Sequence, residues 1–254
     1  MARRARWSQW LLGTLGVAFA YLAYVYLTIP DVRVLAATDP ETTAFIELRR
    51  DEAHDAGKSF TLRRRSVPYN RISNQLKRAV IVAEDSAFFA HEGLDYEQIK
   101  ESFEASMEDG GPVRGASTIT QQLAKNLYLS PSRNPVRKLR EVIITRRLEA
   151  ALSKRRIFEI YLNSIEWGDG IFGCEAAARA YFGKPAAQLN ASEAALMAGA
   201  IINPRVHSPA KPTRRLLRRQ QIILRRMGGA EPPLDAPASA PAPPPVADPP
   251  PPPL

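Results

Sequence analysis

Apolar residues recur through the middle of the chain at the three- and four-residue spacing of a helix. The clearest set has the i, i+4, i+7, i+8 spacing of a buried helix face and consists of Ile72, Leu76, Ala79, Val80 and Ala83. A longer run of the same kind extends over residues 134–152. From residue 72 onward there is no convincing apolar–polar alternation of the type that strands show. The pattern therefore predicts a mainly α-helical fold with about eight to ten helices.

Helix-capping residues predict where several of these helices begin. Thr118 and Gln121 have the spacing of a capping box, in which each side chain bonds the backbone N–H of the other residue. The helix that they open is expected to reach Leu127. Two later helices have serine caps and are predicted over residues 154–165, after Ser153, and over residues 193–202, after Ser192.

The N-terminal residues have the composition of a membrane anchor. Residues 10–28 carry no charge, and this length is close to the roughly 20 residues that cross a bilayer as a helix. Arginines within residues 1–9 precede the segment, so the positive-inside rule predicts a cytoplasmic N-terminus and a single transmembrane helix over residues 10–28. A cleaved signal peptide is the alternative, but the apolar run is longer than a typical signal core.

Composition separates the two ends of the chain from its middle. Of the 22 prolines, 12 lie in the last 24 residues. A Pro/Ala-rich tract has almost nothing to bury, which predicts a disordered tail over residues 230–254, with a docking peptide or a wall-spanning spacer as the alternative. Residues 29–68 are weakly patterned and are interpreted as a connector. The domain itself is therefore predicted over residues 69–229.

Charge and cysteine content exclude several classes of protein. A single cysteine excludes an intramolecular disulfide and a Cys-clustered zinc or iron–sulfur site. The net charge is +9, and residues 205–226 hold eight basic residues and no acidic one. Nucleic acid often binds such a run, but this segment is predicted to lie outside the cytoplasm, so no nucleic-acid partner is expected. Anionic lipid head groups or a phosphate-bearing substrate fit better, and a solvated helix face is the simplest alternative.

Two acidic residues at a predicted helix end form the first candidate site. Glu84 and Asp85 end an apolar helix and are followed closely by Phe88 and Phe89. Aromatic surface removes water from a neighbouring carboxylate, which raises its pKa and makes it a better general base. An ordinary helix-end acid in a turn is equally consistent with the spacing.

Two further segments hold polar residues that packing does not explain well. Residues 114–126 combine hydroxyl and amide side chains with a helix start, whose free N–H groups suit an anion, although an amphipathic surface helix is the alternative. Arg137 and Glu141 follow one helical turn apart. They form either a surface ion pair or a carboxylate and a diphosphate-binding arginine in one groove. Spacing alone leaves both choices open.

Several blocks occur in the order found in the peptidoglycan glycosyltransferases, glycosyltransferase family 51, which the sequence resembles. The blocks are Glu84-Asp85-x-x-Phe88-x-x-His91-x-Gly93, residues 115–126, Arg137-Lys138-x-x-Glu141, residues 161–163, residues 173–178, residues 181–184 and residues 193–204. Together they cover roughly residues 70 to 225. Because no transpeptidase domain follows, the sequence resembles the stand-alone, membrane-anchored form of the family.

This resemblance implies a fold, an activity and a location. The expected fold is mainly α and lysozyme-like, with a small mobile jaw and a cleft close to the membrane. The expected reaction elongates glycan strands from lipid II, inverts the α-linkage to β-1,4 and releases undecaprenyl diphosphate. The expected partners are lipid II, the growing lipid-linked chain, the membrane and other cell-wall synthesis or division proteins. The expected location is the bacterial inner membrane, with the catalytic domain in the periplasm.

The resemblance also assigns roles to particular residues. Glu84 is expected to be the general base, and Glu141 the second essential carboxylate. Glu141 would orient cations, hold a divalent ion at the diphosphate or assist the leaving group. The residues expected to bind the donor and its diphosphate are Arg114, Ser117, Thr118, Gln121, Gln122, Lys125, Asn126, Arg133, Arg137 and Lys138. No cofactor is expected to be required, with Mg²⁺ or Mn²⁺ as the only candidate ion.

Two other functions compete with this interpretation. A lysozyme-like fold also hosts lytic enzymes, which cleave glycan instead of making it. A set of basic residues argues against cleavage, because a hydrolase needs no diphosphate clamp; the set is Lys125, Arg133, Arg137 and Lys138. An inactive, membrane-anchored glycan-binding scaffold is the third hypothesis. The presence of both Glu84 and Glu141 argues against it.

Overall fold

The computed structural model describes residues 2–111, 117–131 and 134–229 of the chain. Within these residues the protein is mainly α-helical, as the apolar pattern predicts. Its helices are α1 (Ala2–Leu27), α2 (Ala44–Asp55), α3 (Asn74–Glu84), α4 (Tyr96–Asp109), α5 (Ile119–Tyr128), α6 (Pro135–Ala151), α7 (Lys154–Ser164), α8 (Cys174–Phe182), α9 (Ala191–Ala200) and α10 (Arg214–Gly229). The predicted tail, residues 230–254, lies outside the described residues.

One hydrophobic core joins most of these helices. Helix α3 packs against α9 and α10, and α5 packs against α6 and α7. Side chains from α3, α5 and α7, among them Leu76, Leu123 and Phe158, are fully buried in it. Since α3 and α5 share this core, the last residue of α3 and the polar residues of α5 come to lie at one place.

Local capping chemistry sets most of the helix starts. Thr118 and Gln121 form the predicted capping box at the start of α5. Ser153 caps α7, as predicted. The prediction that Ser192 caps the ninth helix is wrong, because Asn190 and Glu193 form a complete capping box there and α9 begins two residues earlier than expected. The Ser192 hydroxyl instead accepts a hydrogen bond of 3.0 Å from Gln220 on α10.

The weakly patterned segment before residue 69 contains regular structure. Thr43 caps α2, its hydroxyl accepting a 3.1 Å hydrogen bond from the Ile46 N–H. A small sheet is formed by β1 (Arg63–Arg64), β2 (Glu166–Gly168) and β3 (Ile171–Phe172) in the order β1-β3-β2. β1 lies parallel to β3, and β2 lies antiparallel to it. Strands of two or three residues are too short to show an apolar–polar alternation, which is why the sequence pattern does not predict them.

Helix α1 is attached to the domain only near its C-terminal end. Arg140 donates a 3.0 Å hydrogen bond to the carbonyl of Thr28, and Arg147 donates to the carbonyls of Tyr26 and Ile29, each at 3.2 Å. Further towards the N-terminus, several large apolar side chains are exposed, namely those of Trp10, Leu12, Leu15, Val17, Phe19 and Leu22. Among the described residues, no helix meets both the length and the apolar character needed to span a bilayer.

Candidate active site

The carboxylate of Glu84 lies at the end of α3, at the meeting point of three other helices. Its side chain is 12% exposed. The amide of Gln122 on α5 donates a 3.0 Å hydrogen bond to one oxygen, and Arg219 on α10 approaches the other oxygen at 3.5 Å. The Gln122 carbonyl in turn accepts a 2.8 Å hydrogen bond from the hydroxyl of Tyr161 on α7. The Gln122 amide is therefore held with its nitrogen towards Glu84.

Burial makes Glu84 a stronger base than an ordinary glutamate. Loss of water raises the pKa of Glu84 above its usual value, and this effect outweighs the Gln122 hydrogen bond and the charges of Arg219 and Lys125, which lower it. The sequence predicts such a shift from neighbouring aromatic side chains. A carboxylate that has a raised pKa and is reached by few hydrogen-bond donors is suited to accept a proton from a substrate hydroxyl.

Asp85 fixes the start of α5 relative to Glu84. Its carboxylate is buried and accepts a 2.9 Å hydrogen bond from the backbone N–H of Ile119, the first residue of α5. The imidazole of His91 contacts the same carboxylate at 3.0 Å. Burial raises the pKa of Asp85, whereas these two hydrogen bonds lower it. Asp85 therefore has a structural role beside the candidate base.

The residues predicted to bind substrate on α5 divide into two groups. The buried side chains of Thr118 and Gln121 cap the helix, and the Thr118 hydroxyl also donates a 2.6 Å hydrogen bond to the carbonyl of Gly93. The structure thus gives Thr118 and Gln121 helix-capping contacts. Asn126 is also buried, and its side-chain amide donates a 2.8 Å hydrogen bond to the backbone carbonyl of Gln122 in the same helix. Ser117 is exposed just before the helix.

A second carboxylate, Glu141, lies on α6 between two cations. Its side chain is only 5% exposed. Arg137 donates a 2.8 Å hydrogen bond to one oxygen, and the Lys138 ammonium contacts the other. Both cations remain accessible, since their side chains are 21% and 50% exposed. The ion pair predicted from the spacing is present, and Glu141 holds both cations close together.

Lys125 connects the two carboxylates electrostatically. Burial lowers the pKa of Lys125, and the nearby charges of Arg137 and Lys138 lower it further, whereas Glu141 and Glu84 raise it. Its ammonium lies 5.9 Å from the centre of the Phe45 ring. The sequence spacing did not indicate whether Glu84 and Glu141 lie near each other. In the structure, the charges of both carboxylates raise the pKa of Lys125. The three cations therefore form a cluster that suits an anionic group bearing several oxygens.

The residues around Glu141 do not fit a divalent cation. Both carboxylate oxygens contact cationic side chains, and a metal ion would need an oxygen-rich, anionic set of ligands. In the described residues, the group with metal-ligand spacing is Asp85, His91 and Asp95. Asp85 already holds the start of α5 there, and Asp95 caps α4.

Four further residues differ from the predicted site in what the structure shows of them. Arg114 and Arg133, predicted to bind the donor, lie outside the described residues. Tyr161 and Arg219 contact the site and are not among the predicted site residues. Tyr161 belongs to a block that carries the family resemblance, and Arg219 to the basic run. Neither pattern indicated that Tyr161 contacts Gln122 or that Arg219 contacts Glu84.

The fold and the site together define a class of protein. A buried carboxylate with a raised pKa, close to a cluster of cations, is the arrangement expected of an enzyme that transfers a group away from an anionic leaving group. The family model for transglycosylases matches residues 52–228. The chain belongs to this family.

Curated relatives cover most of the same length. A biosynthetic peptidoglycan transglycosylase of Laribacter hongkongensis (strain HLHK9) is 45% identical over 211 residues, which are 83% of this chain and 92% of that protein. One of Azoarcus sp. (strain BH72) is 48% identical over 198 residues, or 78% and 86% of the two chains. One of Aromatoleum aromaticum is 53% identical over 167 residues, or 66% and 73%.

Proposed function

We propose that the protein is a peptidoglycan glycosyltransferase that elongates glycan strands from lipid II and releases undecaprenyl diphosphate. The observation that carries the proposal is the buried Glu84 carboxylate beside the cation cluster of Lys125, Arg137 and Lys138. Family membership and the printed names of the relatives support the same activity.

The proposed step transfers a sugar between two lipid-linked chains. Glu84 accepts the proton of the acceptor hydroxyl, and the resulting oxygen attacks the anomeric carbon of the donor. The bond between that carbon and the diphosphate oxygen breaks, and the diphosphate leaves with the electron pair. Attack from the opposite face inverts the α-linkage to β-1,4. Lys125, Arg137 and Lys138 neutralise the charge that develops on the leaving diphosphate.

Glu141 is proposed to position the cations and not to exchange protons. Its two oxygens contact Arg137 and Lys138, so it holds both side chains close together. Because the cluster also includes Lys125, its net charge stays positive. Ser117 and Gln122 are proposed to contact the donor or the acceptor sugar. Thr118, Gln121 and Asn126 are proposed to act through the shape of α5. Arg114 and Arg133 remain proposed donor-binding residues.

We also propose that α4 forms the small jaw of the cleft. It packs extensively against no other helix or strand of the described part of the chain. Phe103 and Met107 are 56% and 71% exposed on it. An exposed apolar pair on a helix with few packing contacts is consistent with an element that moves or contacts lipid.

Membrane anchoring through α1 is part of the proposal. Trp10, Leu15, Val17 and Phe19 are each more than half exposed, and an apolar surface of this extent is costly in water. We propose a single-pass anchor in the bacterial inner membrane with the catalytic domain in the periplasm. Tethering would keep the active site close to the bilayer that holds lipid II, and this would raise the effective concentration of lipid II at the site.

The first experiment incubates the purified protein with labelled lipid II in detergent and separates the products on a gel. The wild type is expected to make a ladder of long, lysozyme-digestible glycan. Glu84→Gln is expected to lower the rate by about a hundredfold or more, because it removes the proton acceptor. Glu41→Gln, at an exposed glutamate outside the cleft, is the matched control and is expected to keep the wild-type rate.

The alternatives give different products in the same experiment. Shortening of preformed glycan without a ladder would establish the lytic hypothesis. A folded wild-type protein that neither lengthens nor shortens glycan would contradict both enzymatic hypotheses and favour the scaffold.

A further inference from the structure

A small pocket lies between the end of α9 and the outer face of α10. It has a volume of about 270 Å³, and its lining includes Ile202, His207, Arg215, Arg218, Arg219 and Ile222. None of these residues belongs to the cation cluster around Glu141. The pocket thus combines an apolar wall with guanidinium groups on one helix.

Two buried nitrogen atoms at this pocket lack hydrogen-bond partners. His207 is 9% exposed, and its Nδ1 atom has no partner among the described residues. The Nε atom of Arg219 is likewise buried without a partner. A buried polar atom that is left unpaired costs free energy, so such atoms in one pocket indicate a ligand that supplies the missing oxygens.

The positive charges around the pocket favour an anionic ligand. Arg215 and Arg218 are exposed at its rim, and the basic run of residues 205–226 has no acidic residue to neutralise them. Guanidinium groups pair well with phosphate oxygens. Ile202 and Ile222, which are 54% and 42% exposed, offer contact for an apolar chain beside those charges.

We propose that this pocket binds the phosphate group of a membrane lipid, with Arg215 and Arg218 pairing with the phosphate, His207 hydrogen-bonded to it and the isoleucine side chains contacting the lipid chain. The inference goes beyond the proposed function, because a bilayer phospholipid would satisfy the site as well as a lipid-linked diphosphate would. Arg219 lines the pocket and also approaches Glu84, so the bound phosphate would lie next to the catalytic cleft.

The test uses the full chain in detergent micelles and compares two double variants of α10. Arg215→Gln with Arg218→Gln removes two charges from the pocket. Arg225→Gln with Arg226→Gln removes two charges from exposed positions of the same helix that do not line it. The two variants have equal net charge. The probes are undecaprenyl diphosphate, phosphatidylglycerol and inorganic diphosphate, each titrated by calorimetry.

The pocket variant is expected to bind at least one of the two lipids about tenfold more weakly than the wild type, because it loses charge-assisted hydrogen bonds. The control variant is expected to stay within about threefold of the wild type, since exposed charges that do not touch the ligand contribute little. The lipid whose affinity falls in the pocket variant but not in the control variant identifies the source of the phosphate.

A second measurement needs no variant. The ¹⁵N resonance of His207 is followed by NMR in the wild type while either lipid is added, and Nδ1 is expected to shift on gaining a partner. Equal weakening in the two double variants, or an unmoved His207 resonance at saturating lipid, would each overturn the proposal.

Glycan synthesis by the same wild-type preparation separates the two hypotheses. A ladder without lipid binding at the pocket would overturn this inference alone. Lipid binding without a ladder would support the pocket and contradict the proposed function.

Discussion

At the scale of single residues, the proposed chemistry depends on the ionisation state of the Glu84 carboxylate. The base must be ionised to accept a proton, so the rate falls as the pH drops through the Glu84 pKa. Burial raises that pKa above the ordinary value of 4.5. We therefore expect the acidic limb of the pH–rate profile to lie above pH 4.5.

Gln122 offers a way to move this limb. The hydrogen bond from its amide lowers the pKa of Glu84. Gln122→Met removes the donor while keeping a similar shape, so the acidic limb of kcat/KM is expected to move to higher pH. The profile is measured with labelled lipid II for the wild type, this variant and Gln188→Met, an exposed control. An unchanged limb in Gln122→Met would mean that Glu84 is not the titrating base.

The raised pKa of Glu84 also predicts an effect on stability. Between the unfolded pKa and the higher folded pKa, the folded state binds the proton more tightly, so the ionised carboxylate costs stability as the pH rises through this window. Glu84→Gln removes that cost. The difference in Tm between the variant and the wild type is therefore expected to become more favourable to the variant from pH 4 to pH 8. A variant whose relative Tm falls over that range would contradict the direction of the shift.

At the scale of elements, Asp85 joins α3 to α5. Its carboxylate accepts a hydrogen bond from the first N–H of α5, and both partners are buried. Because the helix start is held from another element, the distance between Glu84 and the side chains of α5 depends on this contact. The capping box of Thr118 and Gln121 satisfies other N–H groups of the same helix start.

Asp85→Ala is therefore expected to be far more damaging than the loss of an ordinary helix cap. Leaving the Ile119 N–H and the His91 ring without their partner is expected to lower the free energy of unfolding by about 3 kcal/mol. Asp95→Ala, which removes the partly exposed cap of α4, serves as the matched control and is expected to cost about 1 kcal/mol. Urea unfolding of both variants gives the two values. Equal losses would show that the contact between α3 and α5 adds nothing beyond capping.

At the scale of the whole molecule, α1 extends from a domain that holds only its last residues. Arg140 and Arg147 bind the backbone carbonyls at its end, and the guanidinium of Arg147 also lies 4.6 Å from the centre of the Tyr26 ring. Both arginines are on α6, the helix that carries Glu141. The orientation of the proposed anchor is therefore linked directly to the helix that holds the cations of the site.

Charges on the exposed face of α1 provide the test of the anchor. Leu15→Arg with Phe19→Arg is expected to move most of the protein from the membrane to the soluble fraction after carbonate extraction, because each arginine costs about 3 kcal/mol within a bilayer. Val34→Arg with Leu62→Arg, at exposed apolar positions outside α1, is expected to leave the protein in the membrane. Retention of both variants would contradict anchoring through α1.

The sequence by itself determined the helical character of the chain, most helix starts and the candidate chemical groups. Those features depend on residues three or four positions apart, such as Thr118 with Gln121 or Arg137 with Glu141, and such contacts follow from the geometry of a helix. The predicted start of α9 is wrong because two residues that favour the cap position, Asn190 and Ser192, lie two positions apart. The sequence alone does not show which of them caps the helix.

Only the tertiary structure decided which groups meet. Gln122 lies 38 residues from Glu84 in the sequence, and Arg219 lies 135 residues from it, yet both contact its carboxylate. The packing of α3 against α9 and α10, and of α5 against α6 and α7, brings these side chains together. The same packing buries Glu84 and Lys125, and burial shifts their pKa values. Local periodicity carries no information about contacts over such separations, because they depend on how whole helices bury their apolar faces.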